Sequence, residues 1–109
     1  QGYLTGKYRN GALPAGARKT LFNRLQRYET PGADVAYEAY FKLAADIGIS
    51  PATLALAFVN SRSFVASNII GATTMAQLDE CLNSVNVKLD TSTLARIDEI
   101  HQLHMNPCP

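Results

Sequence analysis

A mainly helical piece of an α/β protein is the fold class that the sequence predicts, and three observations carry that expectation. Residues 34–62 and 74–104 place apolar side chains at helical spacing. Between them Phe64–Ile70 is short, apolar and followed by Gly71, which fits a strand buried on both faces, although Ser67 and Asn68 interrupt the run. A single strand cannot make a sheet. Its ladder groups, if buried, would go unpaired at about 1–3 kcal/mol each, so partner strands are expected from outside these residues.

Taken in order, residues 1–33 hold Gly2, Gly6, Gly11, Pro14, Gly16, Pro31 and Gly32 without sustained helical or alternating periodicity, and read as a long loop. Loops longer than about 15 residues in a compact domain are usually lids or binding loops. A helix follows from Asp34, a candidate cap, with Tyr37, Tyr40, Phe41 and Ala44 on one face and Gly48 as its left-handed stop. Ser50 and Pro51 then open a second helix, with Leu54, Ala57 and Phe58 as its buried stripe and an end near Arg62. After the 64–70 strand, Thr74-Met75-Ala76-Gln77 has the spacing of a capping box, which predicts a helix over 74–85. Asp90 or Thr91 caps a last helix over 91–104, carried by Leu94, Ile97, Ile100 and Leu103.

The composition, 47% hydrophobic and 17% charged over 109 residues, suits at most one soluble domain. The longest apolar run, Leu54–Val59, is far too short for a bilayer, so no membrane span is expected. The chain starts at Gln1 with no pattern of a targeting peptide, and it is expected to be part of a longer polypeptide. Cys81 and Cys108 lack CxxC spacing and fit a reducing, cytoplasmic setting better than secretion. His101 and His104, with Cys108 nearby, could suggest a metal site, but no fourth ligand or second cluster accompanies them. They are expected to be solvated residues at a helix end. Cys81 is expected to be a small packing residue rather than a nucleophile.

Charge is uneven. Residues 1–28 carry six bases and no acid, while the remaining 81 carry four bases and nine acids. The first segment is either a solvated loop with scattered bases or a surface for an anionic partner. A nucleic-acid or regulatory binding module is the rival that this charge allows, although no helix-turn-helix, zinc finger or aromatic RNP pattern accompanies it. A second anion feature lies at Gly71-Ala72-Thr73. Small residues leading straight into a capped helix offer N–H groups at the positive end of a dipole, and barrel enzymes hold phosphate at such junctions. Strand-Gly-helix junctions are also common without a ligand.

Two stretches make a resemblance specific. Gln1-Gly2-Tyr3-Leu4-Thr5-Gly6-Lys7-Tyr8 resembles the loop after the seventh strand of aldo-keto reductases, particularly bacterial ones related to potassium-channel β subunits. Phe64 through Leu78 is similar to that family's eighth strand and the helix after it. The order of the elements agrees as well, so the resemblance covers nearly the whole chain. It implies the C-terminal segment of a single (β/α)₈ TIM barrel, part of an NADPH-dependent oxidoreductase acting on aldehydes and ketones. By the same resemblance Gly2, Leu4, Gly6 and Lys7 lie along a loop over the NADPH pyrophosphate, and Arg18 lies farther along it. Gly71, Ala72 and Thr73 line the adenosine phosphate, Gln77 faces the 2′-phosphate, and Glu80 bonds the adenine amine.

Cys81 and Gln77 depart from the family pattern, which often has an asparagine and an arginine there, and a thiol replaces an amide poorly. The family's catalytic Tyr, Lys, Asp and His belong to the first two thirds of such a protein. None of the five tyrosines here sits in that motif, and Tyr8, Tyr37 and Tyr40 are read as packing residues. No catalytic or metal-binding residue is therefore assigned, and these residues alone are expected to be inactive. The expected partners are the nicotinamide dinucleotide and the remainder of the barrel.

Overall fold

The computed structural model describes residues 1–108. Five α-helices run in the order α1 (Arg18–Phe22), α2 (Ala33–Asp46), α3 (Pro51–Asn60), α4 (Met75–Asn83) and α5 (Thr91–Leu103). Short 3₁₀ turns at Tyr3–Thr5, Arg9–Gly11, Gln26–Tyr28 and Ser84–Asn86 connect them. No single helix among the described residues is long and apolar enough to cross a membrane.

The main core forms where α2, α3 and α5 meet, around Leu43, Ala44, Leu54 and Ile97, with Tyr40, Phe58 and Ile100 closing its edge. Local chemistry fixes the ends of these helices. Gly48, at φ 74°, lets its own N–H reach Ala45 O at 3.1 Å and the Ile49 N–H reach Ala44 O at 3.1 Å, which satisfies two orphan carbonyls of α2. Two residues on, the Ser50 hydroxyl accepts from the Thr53 N–H at 3.0 Å, and Pro51 takes the first helical position. At the other end of α2 the cap is Gly32 at φ 87°. Asp34 lies in the first turn, where its charge suits the positive end of the dipole without capping it.

The buried strand expected over Phe64–Ile70 is absent, and this corrects the sequence reading. No residue from 64 to 74 lies in a regular element, and no strand occurs among the described residues. Phe64 is 83% exposed and Ile69 93%. The reason is topological, because a strand needs a neighbour for its N–H and C=O groups and none of the described segments provides one. Side-chain amides hold the segment instead, Asn68 Nδ2 donating to Asn60 Oδ1 at 3.1 Å.

Residues 1–33 are more ordered than a loop without periodicity suggests. Tyr8, Ala17 and Leu25 bury themselves in a small second core, flanked by Tyr3 and Tyr28, and the buried Tyr8 oxygen accepts from the Lys19 N–H at 3.2 Å. The end of the chain folds back on this region. Thr30 Oγ1 donates to the Pro107 carbonyl, and the Tyr37 hydroxyl lies 2.9 Å from Cys108 Sγ while donating to Tyr28 O.

Candidate functional site

The Gly2–Lys7 segment is a tight turn with left-handed residues at both ends, Gly2 at φ 96° and Gly6 at φ 78°. Gly2 O accepts from the Thr5 hydroxyl at 2.7 Å, and Gly6 N–H donates to Tyr3 O at 3.1 Å. A side chain at Gly2 would be strained by that φ, and its Cβ would stand 2.4 Å from Lys7 Cε, so the glycine makes the space into which Lys7 folds. The Lys7 ammonium then sits 5.4 Å from the Tyr8 ring centroid. Leu4 lines an apolar cleft of about 440 Å³ together with Tyr40, Leu54, Phe58 and Ile97.

A tyrosine cluster braces this turn from behind. The Tyr3 ring lies 5.1 Å from that of Tyr8 and 5.4 Å from that of Tyr37. Its hydroxyl donates to Glu29 Oε1 at 2.6 Å, and Lys19 pairs with the same oxygen. The hydrogen bonds from Lys19 and then Tyr3 hold the Glu29 carboxyl below its ordinary value, while that carboxylate holds Lys19 above its own. Burial first, then the bond to Glu29, pushes the Tyr3 phenol up. Burial and the Cys108 thiol do the same to Tyr37. None of these residues was singled out in the sequence as part of a network. The partners are 10 to 71 positions apart, and no local pattern joins them.

Gly71, Ala72, Thr73 and Thr74 are exposed and lead directly into α4. Nothing lies within 4 Å of where a Cβ on Gly71 would stand. Thr74 caps the helix, its hydroxyl accepting from the Gln77 N–H at 3.2 Å. Gln77 reaches back one residue farther than a capping box requires, its Oε1 accepting from both the Thr73 N–H at 2.9 Å and the Thr73 hydroxyl at 3.0 Å. Two consequences matter chemically. The N–H groups of Met75 and Ala76 have no intrahelical partners and face the positive end of the dipole. The Gln77 amide, with its oxygen occupied, presents its NH₂ as a donor. Glu80, half-buried on the same helix, accepts from the Ser50 hydroxyl. Cys81 beside it is half-buried and unpaired with any other thiol.

The residues singled out in the sequence therefore form two groups. Gly2, Leu4, Gly6 and Lys7 sit on a turn packed against α2 and α3, while Gly71, Ala72, Thr73, Gln77 and Glu80 sit on or before α4, which also packs against α3. No hydrogen bond or ion pair among the described residues links the two. Arg18, exposed at the start of α1, makes no ion pair among the described residues. By contrast Arg9 is forked onto Glu38 at 2.7 and 2.5 Å and Lys19 is held by Glu29, so two of the six bases in the N-terminal segment are already neutralised. No group of His, Cys, Asp and Glu among the described residues is arranged to hold a metal ion.

Comparison with known proteins decides the family. The sequence matches the aldo/keto reductase family over residues 1–102. The chain belongs to that family. It is 48% identical over 108 residues to Protein tas of Escherichia coli (strain K12), covering 99% of this chain and 31% of that protein. The protein of the same name from Shigella flexneri matches equally. A Schizosaccharomyces pombe protein provisionally assigned as a voltage-gated potassium channel subunit beta is 36% identical over 106 residues, covering 91% of this chain and 30% of that one. The chain thus spans under a third of the length of these relatives. Membership implies a (β/α)₈ barrel, whose parallel sheet these residues do not build by themselves.

Proposed function

We propose that the chain is the C-terminal third of an NADPH-dependent aldo-keto reductase and that it supplies the pocket for the cofactor's phosphates and adenosine. The observation that carries this reading is the exposed, capped start of α4 in a chain of this family, where Gly71 leaves open space and the Met75 and Ala76 N–H groups have no partner among the described residues. The residues suit a dinucleotide. Lys7 and Arg18 offer positive charge and form no ion pair among the described residues, the Gly2–Gly6 turn lets backbone approach phosphate closely, and the Gln77 NH₂ can donate to a 2′-phosphate. Glu80 keeps a carboxylate oxygen for the adenine amine. When bound, the dinucleotide supplies the hydride for a carbonyl carbon, while the proton-donating residues and the carbonyl pocket belong to the part of the barrel outside these residues.

In this reading the partners are the dinucleotide and the rest of the barrel, and the two free thiols suit a cytoplasmic location. The rival, a nucleic-acid module, is weakened by the pairing of Arg9 and Lys19, which leaves fewer bases for a phosphate backbone. The test is NADPH oxidation by the full-length protein with a panel of aldehydes and ketones, run beside the 109-residue polypeptide. Turnover by the former and none by the latter is expected. Full-length protein that neither binds NADPH nor consumes it would refute the proposal, as would salt-steep binding to duplex DNA in its place.

A further inference from the structure

We infer that Ser50 is a positioning residue for adenine recognition, acting through Glu80; the inference rests on the cofactor reading above and deepens it. The Ser50 hydroxyl serves two elements at once. It accepts from the Thr53 N–H at 3.0 Å as the cap of α3, and its own proton goes to Glu80 Oε1 on α4, thirty residues away. The proton has a second acceptor within reach, Thr53 Oγ1 at 2.9 Å, but the carboxylate, being charged, is the stronger of the two. A carboxylate has two oxygens and about four acceptor positions, so the bond to Oε1 restrains the place of the group and leaves Oε2 to accept from an exocyclic amine. Glu80 is only half-buried, and an unheld glutamate would sample several rotamers. Anchoring to a helix cap rather than to a flexible side chain ties the carboxylate to the rigid α3 core, where Leu54 is 3% exposed. The site thus presents its acceptor ready-oriented, which lowers the ordering cost of binding.

The test uses the full-length protein and two probes, adenosine 2′,5′-bisphosphate, which carries the adenine, and reduced nicotinamide mononucleotide, which does not. Affinities are read by calorimetry for the first and fluorescence for the second. Ser50→Ala is expected to weaken the adenine probe roughly three- to tenfold, the scale of one ordinary net hydrogen bond, and to leave the mononucleotide unchanged. Ser50→Gly, which retains most of the capping, should behave alike and serves if the alanine variant folds poorly. Ser50→Thr should restore binding. In a Glu80→Ala background the effect of Ser50→Ala should vanish, because its route is gone. Equal weakening of both probes would show a purely structural role and overturn the inference. If Glu80→Ala weakens the adenine probe and Ser50→Ala does not, the inference fails while the cofactor reading stands. If the wild-type protein binds neither probe, both fall together.

Discussion

At Glu29 two donors converge on one carboxylate oxygen, and the pH response of the N-terminal segment follows. Its depressed carboxyl contributes stability that is present above the ordinary value of 4.5 and is lost as pH falls through the depressed one. Lys19, raised above 10.5, contributes below that value and loses its contribution as pH rises through the raised one. Glu29→Gln should therefore flatten the acid limb of a melting-temperature profile and leave a small deficit at neutrality, since partly exposed pairs are weak. An unchanged acid limb would show that the pair is idle. In the main core Leu43 is 1% exposed, and Leu43→Ala should cost about 2–5 kcal/mol in denaturant unfolding. The apolar spacing that identified the helix face made Ala44 legible, whereas the Tyr3, Glu29 and Lys19 network was not, because nothing in a local window brings residues 26 apart together.

Among the elements, the caps were the most legible feature. Ser50-Pro51 and the Thr74-to-Gln77 spacing each correspond to a hydroxyl accepting from the N–H three residues on, and Gly48 to a left-handed stop. Where two caps were open in the last helix, the structure chooses Asp90, whose Oδ1 accepts from the Thr93 N–H at 2.7 Å. That backbone bond holds the Asp90 carboxyl below its ordinary value of 3.8, so α5 should begin to fray as pH falls through the depressed value. Asp90→Asn, a good cap without the titration, should remove this pH dependence, as followed by amide exchange over Thr91–Leu94. Thr74→Ala should cost about 1 kcal/mol and speed exchange at Gln77. An exchange rate no faster than wild type would contradict the role given to that cap. The strand illegibility has the opposite origin: an apolar run announces burial, but the burying neighbours are a property of the sheet and not of the run.

For the molecule as a whole, the proposed function has the rest of a barrel covering the exposed Phe64 and Ile69, and the relatives are about three times as long. Amides of residues 65–72 should exchange rapidly in the 109-residue polypeptide and become protected in the full-length protein. The residues assigned to the cofactor by resemblance stand in the sequence only as motifs. Their separation into one turn against α2 and α3 and another at α4 follows from packing that no motif encodes. An equilibrium NADPH titration of the full-length protein against its Lys7→Met/Arg18→Met variant tests most directly the proposal that these residues hold the phosphates of NADPH. Saturable binding, weakened about tenfold or more by the double substitution and with the difference shrinking as salt is added, is the predicted result. Equal affinity of the two proteins at every salt concentration would contradict it.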